Sequence, residues 1–154
     1  MKTMKQLIIL SLGLITVLFS CKSEKTNLFK DLGSVKTEVS AVQQYVDDNT
    51  FIDIDVNGLA YELASTNPEN KVDVAKVAKM KAALYRFYSH VTLVDGIYKC
   101  DLTSASDINV SSDVFDALLS NLGDMNDAIA NAKKEGKEIH ASKIDQDYLN
   151  NLLK

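Results

Sequence analysis

Apolar residues recur at helical spacing along three stretches of the chain. In the first, Leu28, Leu32, Val35, Val39, Val42 and Val46 follow one another at steps of three and four, which places all six on one stripe of a single helix. Thr26 or Asn27 stands where such a helix is capped. In the second, Val77, Met80, Leu84, Phe87 and Val91 repeat in the same way, and Asn67 followed by Pro68 suits a cap with proline at the first helical position. The third starts at Ser111 or Ser112 and carries Phe115, Leu118, Leu122, Met125, Ile129 and Ala132. Gly136 suits its end, with Lys133 and Lys134 at the negative pole of the helix dipole, and Gly123 marks a place for a bend. A shorter C-terminal helix is expected where Ser142 and Asp145 have capping-box spacing ahead of Tyr148, Leu149, Leu152 and Leu153, which with Ile144 form an apolar face.

Two stretches have a different period. Val91-Thr92-Leu93-Val94 and Ile97-Tyr98-Lys99-Cys100 flank Asp95-Gly96, the dipeptide that favours a two-residue hairpin turn. That turn sets Leu93 opposite Tyr98 and Val91 opposite Cys100, giving one apolar face that must lie against the helices. Phe51 to Val56 alternates as a strand does, with Ile52, Ile54 and Val56 on one side, yet Ile52, Val56, Leu59 and Leu63 also fit a helix. The expectation is a mainly α fold, a compact bundle of about four helices carrying a small β-hairpin over 91–102. The alternative is an α+β fold in which 51–56 adds a third strand.

The N-terminus follows none of these patterns. Lys2 and Lys5 precede an uncharged run to Cys21, whose apolar core from Leu7 to Phe19 is too short to span a bilayer, which needs roughly 20 residues. Basic start, short apolar run and small residue at its end are the pattern of a secretory signal peptide. Leu18-Phe19-Ser20-Cys21 resembles the lipobox of bacterial lipoproteins, although Phe19 is bulkier than the usual residue there. The resemblance implies cleavage before Cys21 and lipidation of its thiol, and two or more acyl chains hold a protein on a membrane. Cys21-Lys22-Ser23-Glu24-Lys25 is similar to the charged tethers of Bacteroidota lipoproteins, an ordinary hydrophilic tether being the other reading. The outer membrane is therefore favoured, facing either the periplasm or the cell surface. The chain divides into a signal peptide (1–20), a lipidated cysteine with its tether (21–26) and one helix-rich domain (27–154). Residues 22–26 reach at most about 17 Å when extended, which keeps the domain near the bilayer.

Composition narrows the classes of function. The 154 residues carry a formal charge of −4, and 46% of them are apolar, a normal share for a globular protein. Two of the 17 basic residues and none of the 21 acidic ones precede Cys21, so the remainder is more acidic still. No basic surplus exists to replace phosphate counterions, which argues against a nucleic-acid partner. With Cys21 lipidated, Cys100 is the one thiol left and no intrachain disulfide forms; burial as a small hydrophobe is the expectation.

Charge is also unevenly placed. Seven acids and no base lie between Lys36 and Lys71, and six acids and no base between Lys99 and Lys133. Lys71, Lys76, Lys79, Lys81 and Arg86 gather on the second helix, with Asp73 opposing. The basic helix is expected to pack between the two acidic segments. The alternative is an acidic face that steers a basic partner.

Candidate chemistry is sparse. Asp53-x-Asp55-x-Asn57-Gly58 matches the first half of a calcium loop, where alternate oxygen ligands and a glycine wrap a hard cation. Ala64 occupies the place of the EF-hand's bidentate acid, and Glu62 supplies an acid four residues after Gly58. That arrangement resembles a compact calcium-loop module of pattern D-x-D-x-D-G, but Tyr61 stands where the module has a cysteine. The metal candidates are therefore Asp53, Asp55, Asn57 and Glu62, against the plainer reading of an acidic turn or helix start. His90 and His140 lack ligand partners at metal spacing, and a Cys100–His90 nucleophile pair has no supporting flank. In Tyr85-Arg86-Phe87-Tyr88, Phe87 and Tyr88 are expected in the core, with Tyr85 and Arg86 at its rim. No phosphate loop, nucleophile elbow or zinc-protease motif occurs in the sequence. The leading expectation is a non-enzymatic envelope lipoprotein without a cofactor, which binds another envelope or extracellular protein. The alternative is a calcium- or small-ligand-binding lipoprotein using the Asp53–Glu62 loop.

Overall fold

The computed structural model describes residues 26–65, 67 and 71–154. The fold is mainly helical with one small antiparallel sheet. In chain order the elements are α1 (Thr26–Leu32), α2 (Val39–Asp47), α3 (Val56–Ala64), α4 (Val74–Tyr88), β1 (Val91–Val94), β2 (Ile97–Cys100), α5 (Ser112–Lys134) and α6 (Gln146–Leu152), with a 3-10 turn at Ala105–Ile108 between β2 and α5. Signal peptide, lipobox and tether, Cys21 included, lie outside the described residues, as does Pro68.

α4 is the centre. Buried side chains project from almost every side of it: Val77, Met80 and Leu84 on the expected stripe, and Ala78, Ala82 and Ala83 beyond it. α2, α5, α6 and the 3-10 turn all pack on this helix. The start expected at Asn67 is displaced to Val74. Asp73 provides the cap, its carboxylate accepting from the N–H groups of Ala75 and Lys76. An aspartate takes two of the first-turn donors at once, and Asn67 lies outside the helix.

The single helix expected over 28–46 is two helices. Gly33 weakens the helix by roughly 1 kcal/mol relative to alanine, and Ser34 donates to the Asp31 carbonyl from both its backbone N–H and its hydroxyl. The released segment turns toward α4, where the ammonium of Lys81 donates to the Val35 carbonyl and the Thr37 hydroxyl. Leu28, Leu32 and Val42 are buried as the stripe requires, whereas Val39 is exposed.

The hairpin has the expected register, Val91 opposite Cys100 and Leu93 opposite Tyr98. Asp95 and Gly96 both hold positive φ, the conformation a two-residue turn of this hand demands. Asn126 of α5 binds the outer edge of β2, accepting from the Tyr98 N–H at 2.8 Å and donating to its carbonyl at 2.9 Å. α5 runs unbroken through Gly123 from a start at Ser112 to Lys134, with Gly136 in the left-handed conformation beyond its end. The cap of α6 is Asp145 itself, which accepts from the Tyr148 N–H; Ser142 instead accepts a bond from the Tyr98 hydroxyl at its carbonyl.

Residues 51–56 form no third strand. Ile52 makes one isolated parallel bridge to Val110, and α3 begins at Val56. Beneath that bridge lies Arg86, which is buried rather than at the rim. Its guanidinium donates to the carbonyls of Thr50 and Ile108 at 3.0 Å, of Asn109 at 3.4 Å, and of Tyr45. One side chain thus ties the loop after α2 to the loop before α5. Removing it leaves the buried Ile108 carbonyl and the part-buried Tyr45 and Thr50 carbonyls without this donor, so Arg86→Met is expected to cost about 3 kcal/mol in urea unfolding.

Tyr88 and Tyr148 pack ring against ring in the same core, 5.9 Å between centroids. Tyr88 accepts from Asn121 and donates to the Met125 sulfur, while the buried Tyr148 hydroxyl has no partner among the described residues. Burial pushes both phenols well above their usual range, so the unfolded chain releases these protons first. Their contribution is complete below the unfolded value near pH 10 and falls as pH rises beyond it. Lys81, whose pKa burial lowers, acts in the opposite sense, so the comparison must be between variants. Tyr148→Phe is expected to raise stability by about 1 kcal/mol at neutral pH and to lessen the alkaline loss in melts from pH 8 to about 11.

Candidate functional site

The acidic segments meet at a groove. α1, α3 and α5 converge there around a space of 820 Å³. The helical period of α5 brings Asp113, Asp116, Ser120 and Asp124 to this side, and Asp55 comes from the start of α3. Leu28 and Phe29 of α1 contribute apolar surface, and Val56 and Ala60 of α3 add more. Tyr61, on α3, lines the same groove and is 72% exposed. Among the described residues no lysine, arginine or histidine lines it.

The carboxylates differ in their engagements. Asp55 is the cap of α3 and accepts from the Gly58 N–H at 2.9 Å. Asp113, Asp116 and Asp124 take no hydrogen bond or ion pair from the described residues. Burial, and then the neighbouring Asp127, push the Asp124 carboxyl above the usual range. Asn121 is 3% exposed and lines the groove; its Nδ2 donates to the Tyr88 hydroxyl, and its Oδ1 accepts no hydrogen bond from the described residues.

The calcium candidates are placed otherwise than in a cation loop. Asp55 caps a helix, and Glu62 sits near the far end of that helix, where it accepts from Lys76 at 2.6 Å and from the Asp73 N–H at 3.3 Å. Asp53 is exposed ahead of the cap, and Asn57 lines the groove. Among the described residues no group of three or more Asp, Glu, His or Cys side chains gathers as metal ligands. Gly58 also has a local explanation. A Cβ there would lie 2.4 Å from Asp55 Oδ2, so glycine leaves the capping carboxylate its place.

His90 Nδ1 lies 3.0 Å from Asp101 Oδ1, and no hydrogen bond joins His90 to Cys100 among the described residues. Cys100 is half-buried on the hairpin's apolar face, and burial raises its thiol pKa, the direction opposite to nucleophile activation. His140 is exposed. Of the α4 cations, Lys76 pairs with Glu62, Lys79 lies 5.8 Å from the ring centroid of Tyr45, and Lys81 and Arg86 bind carbonyls. The basic helix expected between the two acidic segments does not separate them here: Asp55 of one and Asp113, Asp116 and Asp124 of the other line the same groove.

No helix among the described residues is long and apolar enough to cross a membrane. No family model, curated protein or solved structure matches the chain.

Cap and cation loop predict different responses. Gly58→Ala is expected to leave stability within about 0.5 kcal/mol, because the loss of the Asp55 cap offsets the gain in helix propensity. Gly123→Ala, where a Cβ meets nothing within 4 Å, is expected to gain about 1 kcal/mol. Thermal melts in millimolar calcium are expected to show no shift, whereas a site filled at 100 times its Kd would add about 2.7 kcal/mol.

Proposed function

We propose that this protein is a lipid-anchored component of the bacterial cell envelope, held through Cys21, whose helical domain binds another envelope or extracellular protein without catalysing a reaction. The outer membrane is the favoured location. The observation that carries the interaction reading is the groove of α1, α3 and α5, where uncommitted carboxylates, apolar side chains and an exposed tyrosine share one concave surface. Its volume is within the range of about 300–1,000 Å³ typical of ligand sites. Carboxylates beside an aromatic ring favour a cationic partner, by charge and by cation–π attraction.

The anchor adds a geometric argument. α1 contributes Leu28 and Phe29 to the groove, and only a few residues separate it from Cys21 in sequence. A partner bound there lies close to the bilayer.

Two measurements test the reading. Cys21→Ser is expected to move the protein out of the membrane fraction, and an unchanged distribution rejects the anchor. Cross-linking in intact cells, with a photoreactive residue at Tyr61, is expected to trap one protein reproducibly. Absence of any cross-linked species from both Tyr61 and the hairpin tip at Ile97 rejects an interaction module.

A further inference from the structure

Resting on that reading, we infer that the groove between α1, α3 and α5 receives a basic amphipathic segment of the partner protein, its lysine or arginine side chains among Asp113, Asp116 and Asp124 and its apolar side chains against Tyr61 and Val56. The first argument is charge. Among the described residues four aspartates and no basic residue line the groove, and three of the four take no hydrogen bond or ion pair from those residues. Asp124 is partly desolvated beside Asp127, so a bound cation restores what burial removes.

The second argument concerns the groove's other lining. Leu28, Phe29, Val56 and Ala60 give it an apolar side, and Tyr61 presents most of its ring to solvent. An exposed aromatic flanked by carboxylates suits a side chain with an aliphatic stem and a cationic head, which is the form of lysine and arginine. Asn121 offers a further acceptor, because its Oδ1 takes no hydrogen bond from the described residues. A bare polyamine would use the charge but not the apolar side. Anionic lipid or nucleic acid would be repelled.

The test uses the full-length protein in detergent micelles and three defined probes: a short amphipathic Lys/Leu peptide, its Glu/Leu counterpart, and spermine. The Lys/Leu peptide is expected to bind saturably, more weakly as salt rises, and the Glu/Leu peptide not at all. Asp113→Asn, Asp116→Asn and Asp124→Asn together are expected to weaken the Lys/Leu peptide about tenfold or more, and Tyr61→Ser about threefold to tenfold at unchanged charge, a range set by typical cation–π and ion-pair contributions. Thermal melts of the variants verify folding. No binding of the Lys/Leu peptide, equal binding of both peptides, or spermine matching the Lys/Leu peptide with Tyr61→Ser inert would each overturn the inference. If partner cross-linking from Ile97 persists in the triple variant at wild-type yield, the groove is wrong and the interaction module stands. Loss of all cross-linking in the unaltered protein removes the module itself.

Discussion

A guanidinium group taken out of water must find acceptors for several donors at once, and the terminal nitrogens of Arg86 find them in backbone carbonyls at the end of α2, in the loop after it and in the segment before α5. The two segments it joins, after α2 and before α5, are otherwise connected by the single Ile52–Val110 bridge and by Asn109 donating to the Asn49 carbonyl at 2.6 Å. The Ile108 carbonyl at the end of the 3-10 turn is buried with Arg86, whereas the Asn109 carbonyl also accepts from the Ile52 N–H. Buried carbonyls without donors are costly, so the path of both loops depends on the position of one side chain on α4. Lys81 acts similarly one turn and a half earlier, holding Val35, Thr37 and the backbone oxygen of Lys154. α4 therefore organises the fold by polar bonds as well as by apolar packing.

That arrangement explains where a pattern of hydrophobic positions succeeds and where it fails. The hairpin register and the span of α5 were legible because each is fixed locally, by Asp95-Gly96 and by an uninterrupted helical stripe ending in Lys133-Lys134. The break between α1 and α2 was not. The stripe from Leu28 to Val46 is regular across it, and although Gly33 and Ser34 loosen the helix locally, the group that binds residues 35 and 37 outside it is an ammonium 44 or more residues away in sequence. Arg86 is the same case: a cation on an apolar helix reads as the rim of the core, and only tertiary acceptors permit its burial.

The start of α3 shows a second kind of ambiguity. Asp53-x-Asp55-x-Asn57-Gly58 has the spacing of a cation loop because both motifs solve one problem, directing carboxylate oxygens at a tight turn. In a cation loop the oxygens converge on the ion. In a cap one oxygen faces the backbone N–H of the first turn, as Asp55 faces Gly58. The residue types are the same, and the discriminating feature is Glu62, which lies near the opposite end of α3 beside Lys76.

The core and the groove are coupled through charge. α4 carries four of the chain's 17 basic residues, yet Lys81 and Arg86 face inward to backbone oxygens and pair with no aspartate or glutamate among the described residues. Each cation placed in the core is one that cannot screen the surface. The formal charge of −4 therefore understates how acidic the outside of the molecule is, and the surplus collects where the base-free stretch of α5 faces the start of α3. Among the described residues the aspartates of the groove have no ion pair, while the two buried cations of α4 are committed to backbone oxygens.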